Sequence, residues 1–205
     1  MPQPTDFPLP SDLPRPTDDG AADHLVGMSM PAVSLRSSSG RLVSLAELPA
    51  LRTVIYCYPM TGVPGKPLPE NWDAIPGARG CTPQACNFRD HNQEFVELET
   101  EVIGLSTQTT EYQREMADRL QLPFEVLSDA AFQFCGAMRL PTFVVDGTRL
   151  LKRLTIVVRG RARRARHLSS VSVQRKRRSG IAMAQGKSGQ ELMSRCAMFK
   201  NAFRS

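Results

Sequence analysis

The chain has 205 residues, 41% hydrophobic and 22% charged, which fits one domain with a real core and room for unstructured sequence. The formal net charge of +6 hides a division: residues 1–158 hold 13 Lys+Arg and 19 Asp+Glu, a net −6, and residues 159–205 hold 13 and 1, a net +12. No apolar run approaches the roughly 18 residues needed to span a bilayer, the N-terminus lacks a secretory pattern, and five cysteines, odd and sparse, argue against a disulfide framework.

Residues 1–24 carry six prolines, five aspartates and few large apolar side chains, so they are expected to be disordered. The folded body is expected over 25–158. PAVSL (31–35) and RLVSL (41–45) flank SSSG and read as a hairpin. RTVIYCY (52–58) is β-branched and aromatic, which suits a central strand. The loop over 59–80 holds five prolines and four glycines, and a connection of that length is usually functional or disordered. A helix is predicted over 82–99, with Thr82 and Pro83 at its start and Phe88, Phe95 and Leu98 on its apolar face. A strand (101–106), a helix with Tyr112, Met116 and Leu120 on one face (110–121), a short strand (124–127) and a short helix (129–139) follow. Beyond Leu140-Pro141, residues 142–146 and 149–158 read as two strands around Gly147. Strands alternating with helices predict an α/β sheet. From Arg159 the pattern stops: residues 159–205 read as a basic tail, with one weak amphipathic helix over 190–203.

The chemistry concentrates in Gly80-Cys81-Thr82-Pro83-Gln84-Ala85-Cys86-Asn87-Phe88-Arg89-Asp90. A thiol in the first turn of a helix lies near the positive end of the dipole and the free backbone N–H groups, which favours the thiolate. Arg79 and Arg89 are candidates to add positive charge. The plainer reading is a buried, inert cysteine at a helix start. Cys86 lies five residues on, and in an intact helix the two Cα atoms would be ~8–9 Å apart. A disulfide needs about 7 Å or less, so this pair bonds only if the helix start unwinds, as a redox cycle allows. Zinc needs two further ligands, and neither a second cysteine pair nor clustered histidine is present, so no metal is expected. A thioredoxin-type C-x-x-C is also absent. Cys57 and Cys135 read as core, and Cys196 lies in the basic tail.

With these motifs the segment 25–158 resembles the peroxiredoxins, above all their Q-type (bacterioferritin-comigratory) branch. The resemblance rests on TVIYCYP ending in Pro59, on GCTPQACNFRD, on VIGLSTQT, on FEVLSD and on Arg153 within KRLT. It implies a thioredoxin-like fold, a central mixed sheet flanked by helices. It implies Cys81 as the peroxidatic thiolate, Cys86 as the resolving thiol and Arg153 as the residue that holds the thiolate and polarises the peroxide. The implied activity is thiol-dependent reduction of hydroperoxides without a cofactor, with a thioredoxin-like or glutathione-type reductant, in a cytoplasmic monomer or homodimer.

The chain departs from the family pattern twice. The family places a Pro seven residues and a Thr or Ser three residues before the peroxidatic Cys. Here Ala74 and Ala78 stand at those positions. Pro59 still closes its strand, which implies an insertion of about 15 residues before Cys81, with Pro59 and Thr61 as candidate substrate-binding residues and Thr61 as the source of the missing hydroxyl. The second departure is the tail. Where the family has another strand and a C-terminal helix, residues 159–205 resemble out-of-frame translation. The sequence therefore predicts a fold without its usual last strand and helix. If the tail is genuine, Arg163, Arg164, Arg166 and the run 175–178 would suit nucleic acid. The rival functional readings are an inactive thioredoxin-fold protein and a nucleic-acid-associated redox sensor.

Overall fold

A computed structural model describes residues 12–159 and the backbone of a further strand at 170–174. The hairpin forms from β1 (Ser34–Ser37) and β2 (Leu42–Ser44), joined through Gly40 in the left-handed region. Then come β3 (Arg52–Cys57), α1 (Cys81–Asp90), α2 (Asn92–Glu97), β4 (Thr100–Ser106), α3 (Thr110–Leu120), β5 (Val126–Ser128) and α4 (Gln133–Met138). The described chain closes with β6 (Thr142–Val145), β7 (Thr148–Leu151), β8 (Leu154–Arg159) and β9 (Ser170–Gln174). Seven strands form one mixed sheet in the order β2-β1-β5-β4-β3-β8-β9, with β3, β4 and β5 mutually parallel. β6 and β7 form a separate antiparallel pair. Among the described residues no helix is long and apolar enough to cross a membrane.

Three expectations change. The predicted helix 82–99 is two helices, interrupted at His91, because Asp90, His91 and Asn92 are weak helix-interior residues. The run 149–158 is two strands: β7 pairs with β6, β8 pairs with β3, and the chain changes partner at Lys152-Arg153. The sheet also does not end at Val158. β9 pairs antiparallel with β8, with Val171 opposite Val158 and Val173 opposite Ile156. Its alternation of serine and valine is a strand pattern of period two that the surrounding basic residues mask. The expected helix over 190–203, the basic runs at 163–166 and 175–178, Cys196 and residues 1–11 lie outside the described residues. Within the segment expected to be disordered, residues 12–24 are described; Ala22 is buried and Asp19 pairs with Lys152 at 2.6 Å.

Strand periodicity divides the core by sheet face. Val54 and Tyr56 of β3, with Tyr58 just beyond it, pack with Cys81, Ala85, Cys86, Phe88, Phe95 and Met116. Ile55 and Cys57 pack on the other side with Leu25, Ile103, Phe134, Cys135 and Ile156. Tyr56 fits because β4 has Gly104 beside it, where an added Cβ would lie 2.7 Å from Tyr56 Oη. The inserted loop is ordered by a third cluster. Trp72 and Ala78 are buried there with Val145 and Leu150, and Met60, Leu68, Ile75 and Phe143 pack around them.

Candidate active site

The site lies where β3 ends and α1 begins. Gly80 caps α1 in the left-handed region (φ 97°), which a side chain would disfavour, so the chain turns sharply and Cys81 becomes the first helical residue. Cys81 is 3% exposed, and its Sγ lies 3.4 Å from the Ala78 carbonyl oxygen. β8 runs antiparallel to β3, with Leu154 opposite Cys57, so the residue just before β8 reaches the same end of the sheet. That residue is Arg153. Its Nη2 lies 3.1 Å from Cys81 Sγ.

The guanidinium is held from all sides. Nε donates to the Gly77 carbonyl at 3.1 Å and Nη2 to the Arg79 carbonyl at 3.0 Å, with Ala78 O at 3.5 Å. Nη1 donates to Gln84 Oε1, three residues along α1 from Cys81. Of the three arginines the sequence offered, only Arg153 touches the sulfur. Arg79 pairs with Asp73 at 3.0 Å. Arg89 pairs with Asp90 and donates to the Leu120 carbonyl at 2.9 Å.

Cys86 lies on the same helix and the same sheet face, buried and free. Burial pushes its thiol up, against the pull of the Arg89 guanidinium. Cys57 and Cys135 belong to the opposite face, and burial raises both thiols. Pro59 is buried, and its carbonyl accepts from Ser106 Oγ at 2.9 Å. Thr61 is 1% exposed and its Oγ1 has no hydrogen-bond partner. Its carbonyl accepts from Tyr112 Oη, a phenol that burial pushes up. Ala78 is buried where a hydroxyl was expected, and offers the site only its carbonyl.

Sequence reasoning missed Gln84, which holds Arg153, and Tyr112, which holds the Thr61 carbonyl. A polar residue at i+3 from Cys81 was a signal for the first; Tyr112 read simply as the apolar face of a helix. A groove of about 830 Å³ lies elsewhere, lined by Leu51, Thr100, Glu101, Phe124 and Glu125 at the opposite ends of the parallel strands. No group of three or more His, Cys, Asp or Glu among the described residues could hold a metal ion.

A family profile described as Redoxin matches residues 25–172, reaching into β9. The chain belongs to the redoxin family. Among curated redoxin relatives it is 34% identical over 103 residues to a chloroplastic peroxiredoxin Q of Sedum lineare, covering 50% of this chain and 47% of that protein. It is 30% identical over 104 residues to the peroxiredoxin Bcp of Bacillus subtilis, covering 51% and 57%. The chain thus spans about half the length of these relatives. Two solved redoxin-type structures have the same fold. Peroxidoxin BcpB of Mycobacterium tuberculosis has a TM-score of 0.55 at 22% identity, covering 88% of this chain and 98% of that one. A variant of Xanthomonas campestris peroxiredoxin Q has a TM-score of 0.55 at 17% identity, covering 88% and 99%. The similarity supports the Q-type branch read from GCTPQACNFRD.

Proposed function

We propose that the protein is a thiol-dependent peroxidase for hydrogen peroxide and small organic hydroperoxides. The observation that carries the reading is the Arg153 guanidinium 3.1 Å from a thiol in the first turn of a helix. The Cys81 thiolate attacks one oxygen of the hydroperoxide in line with the O–O bond. The S–O bond forms and the O–O bond breaks. The other oxygen leaves as water or an alcohol once protonated, and Cys81 becomes a sulfenic acid. Arg153 and the free N–H groups at the start of α1 stabilise the negative charge of the thiolate and of the breaking bond. The Thr61 hydroxyl takes the hydrogen-bonding role that Ala78 cannot, and Pro59 shapes the same wall.

The helix start then unwinds. The Cys86 sulfur attacks the sulfenic sulfur, the S–S bond forms and water leaves. An external dithiol of the thioredoxin class, or a glutathione-type thiol, restores both cysteines by exchange. The reading requires no cofactor, and it belongs to a reducing cytoplasmic compartment where the resting thiols stay free. The test is peroxide consumption by the reduced full-length chain supplied with a thioredoxin system. Wild type should turn over continuously and Cys81→Ser should consume none. Equal rates in the two proteins would refute the assignment.

A further inference from the structure

We propose that Tyr112 and Arg119 of α3 are positioning residues, a two-point clamp on successive carbonyls that aims the Thr61 hydroxyl at the peroxide. The inference rests on the reading of Thr61 given above. Tyr112 Oη donates to the Thr61 carbonyl, and Arg119 Nη2 donates to the Gly62 carbonyl at 3.1 Å. The two side chains are seven residues apart, two turns of one helix, and so project from the same face. Thr109 Oγ1 caps that helix, accepting from the Tyr112 backbone N–H at 3.3 Å. Arg119 is steadied by Glu115, which it meets at 2.6 and 3.2 Å.

The clamp matters because of where the chain goes next. Residues 58 and 59 are fixed by β4: Tyr58 N–H bonds the Leu105 carbonyl at 3.1 Å, and Ser106 Oγ bonds the Pro59 carbonyl. Beyond Gly62 the loop runs into solvent, with residues 64–67 exposed. The α3 clamp is therefore the last hold on the chain before the exposed part of the insertion. Thr61 is the first residue that the α3 clamp grips, and its hydroxyl is buried and without a partner. The hydroxyls of Thr53, Tyr56 and Thr107 are also buried without a partner, but of the four only that of Thr61 belongs to the loop between β3 and α1, where it can bond a group that arrives during reaction. Family members with a hydroxyl three residues before the cysteine carry it next to the helix they serve. Here the hydroxyl sits on the far side of the insertion, and α3 supplies the rigidity that proximity in sequence cannot.

The experiment compares two reactions of reduced Cys81 in the full-length chain: oxidation by hydrogen peroxide, and alkylation by iodoacetamide, which needs no donor to an oxygen. Thr61→Val and Tyr112→Phe should each slow oxidation roughly three- to tenfold, the scale of one lost hydrogen bond, while alkylation changes less than about twofold. Arg119→Gln should shift the same ratio in the same direction. Because Thr61 and Tyr112 would act through one bond, the double variant should be no slower than the slower single variant. Thr61→Ser should restore the rate lost in Thr61→Val. A Thr61→Val protein at wild-type speed would remove the underlying reading of Thr61, and the clamp with it. A slow Thr61→Val beside an unaffected Tyr112→Phe would leave Thr61 its role and overturn the clamp alone. Equal slowing of oxidation and alkylation in Tyr112→Phe would also overturn it, as general loosening of the fold.

Discussion

Arg153 and Cys81 are 72 residues apart in sequence, yet Nη2 and Sγ stand 3.1 Å apart. The contact depends on the chain leaving the β6–β7 hairpin and entering β8 at that point, with three backbone carbonyls and Gln84 fixing the guanidinium. Arg153→Met keeps the bulk and removes the charge. It should slow oxidation of Cys81 by hydrogen peroxide by at least about tenfold, the order seen on losing an electrostatic donor. Rapid-mixing kinetics with the reduced chain measure this directly; an unchanged rate would remove Arg153 from the mechanism.

The sheet separates the thiols. Cys81 and Cys86 share one face, and Cys57 and Cys135 the other. The disulfide of the oxidised protein should therefore join Cys81 to Cys86, as peptide mapping would establish. Cys86→Ser should consume one equivalent of peroxide and then stop as a sulfenic acid, open to over-oxidation unless an added thiol resolves it. A Cys81–Cys57 or Cys81–Cys135 bond would contradict the assignment.

Joining Cys81 to Cys86 must disturb α1, and its two halves are held differently. Phe88 stacks on Tyr56 with ring centroids 4.4 Å apart, and Arg89 bonds the Leu120 carbonyl. The first turn is held by Arg153, through Cys81 Sγ and Gln84 Oε1, and by the burial of Cys81 and Ala85. Hydrogen exchange on the oxidised chain should accelerate first at amides 82–86, while 87–90 and the central strands keep more protection. Uniform loss of protection across α1 would mean that the whole helix melts.

Gly104→Ala should destabilise the fold. The new Cβ would lie 2.7 Å from Tyr56 Oη and 3.2 Å from Val126 Cγ1, both in a packed interior. Overpacking of this kind costs about 1–3 kcal/mol, measurable by urea denaturation. Tyr56→Phe in the same background should recover part of the loss, since the phenol oxygen is the nearest atom.

Glu101 lies in the groove away from the active site. Burial raises its carboxyl, and Glu125 raises it further against the pull of Arg41. A raised carboxyl penalises the folded state when ionised. The penalty is complete above the folded value and vanishes below the ordinary carboxylate range. Glu101→Gln should therefore raise the melting temperature at pH 7, and the gain should shrink to nothing as the pH falls to about 4. A gain independent of pH would mean that charge is not its source.

The legible parts were those where local chemistry and periodicity agree. The run 52–58 could hardly be anything but a buried strand, and Gly80-Cys81-Thr82-Pro83 announces a helix start through turn and proline chemistry alone. Arg153 was legible through family resemblance, but its partners were not. Gln84, Gly77 and Arg79 meet it only because β8 returns antiparallel to β3, a long-range pairing that no local pattern encodes. The insertion looked structureless because its order comes from Phe143, Val145 and Leu150, side chains some 70 residues later. β9 was missed because two valines are a weak signal amid so much positive charge, whereas a neighbouring strand suffices to pair them.

Trp72 is the sole tryptophan of the chain, and it sits in the small cluster that joins the insertion to the β6–β7 hairpin. Ala78 belongs to that same cluster, and its carbonyl faces both the Cys81 sulfur and the Arg153 guanidinium. Any movement of the helix start that releases this carbonyl also repacks the indole's surroundings. The protein thus carries its own optical probe. Its emission should change when Cys81 is oxidised and return on reduction, so that the thiol's state can be followed in real time without a label.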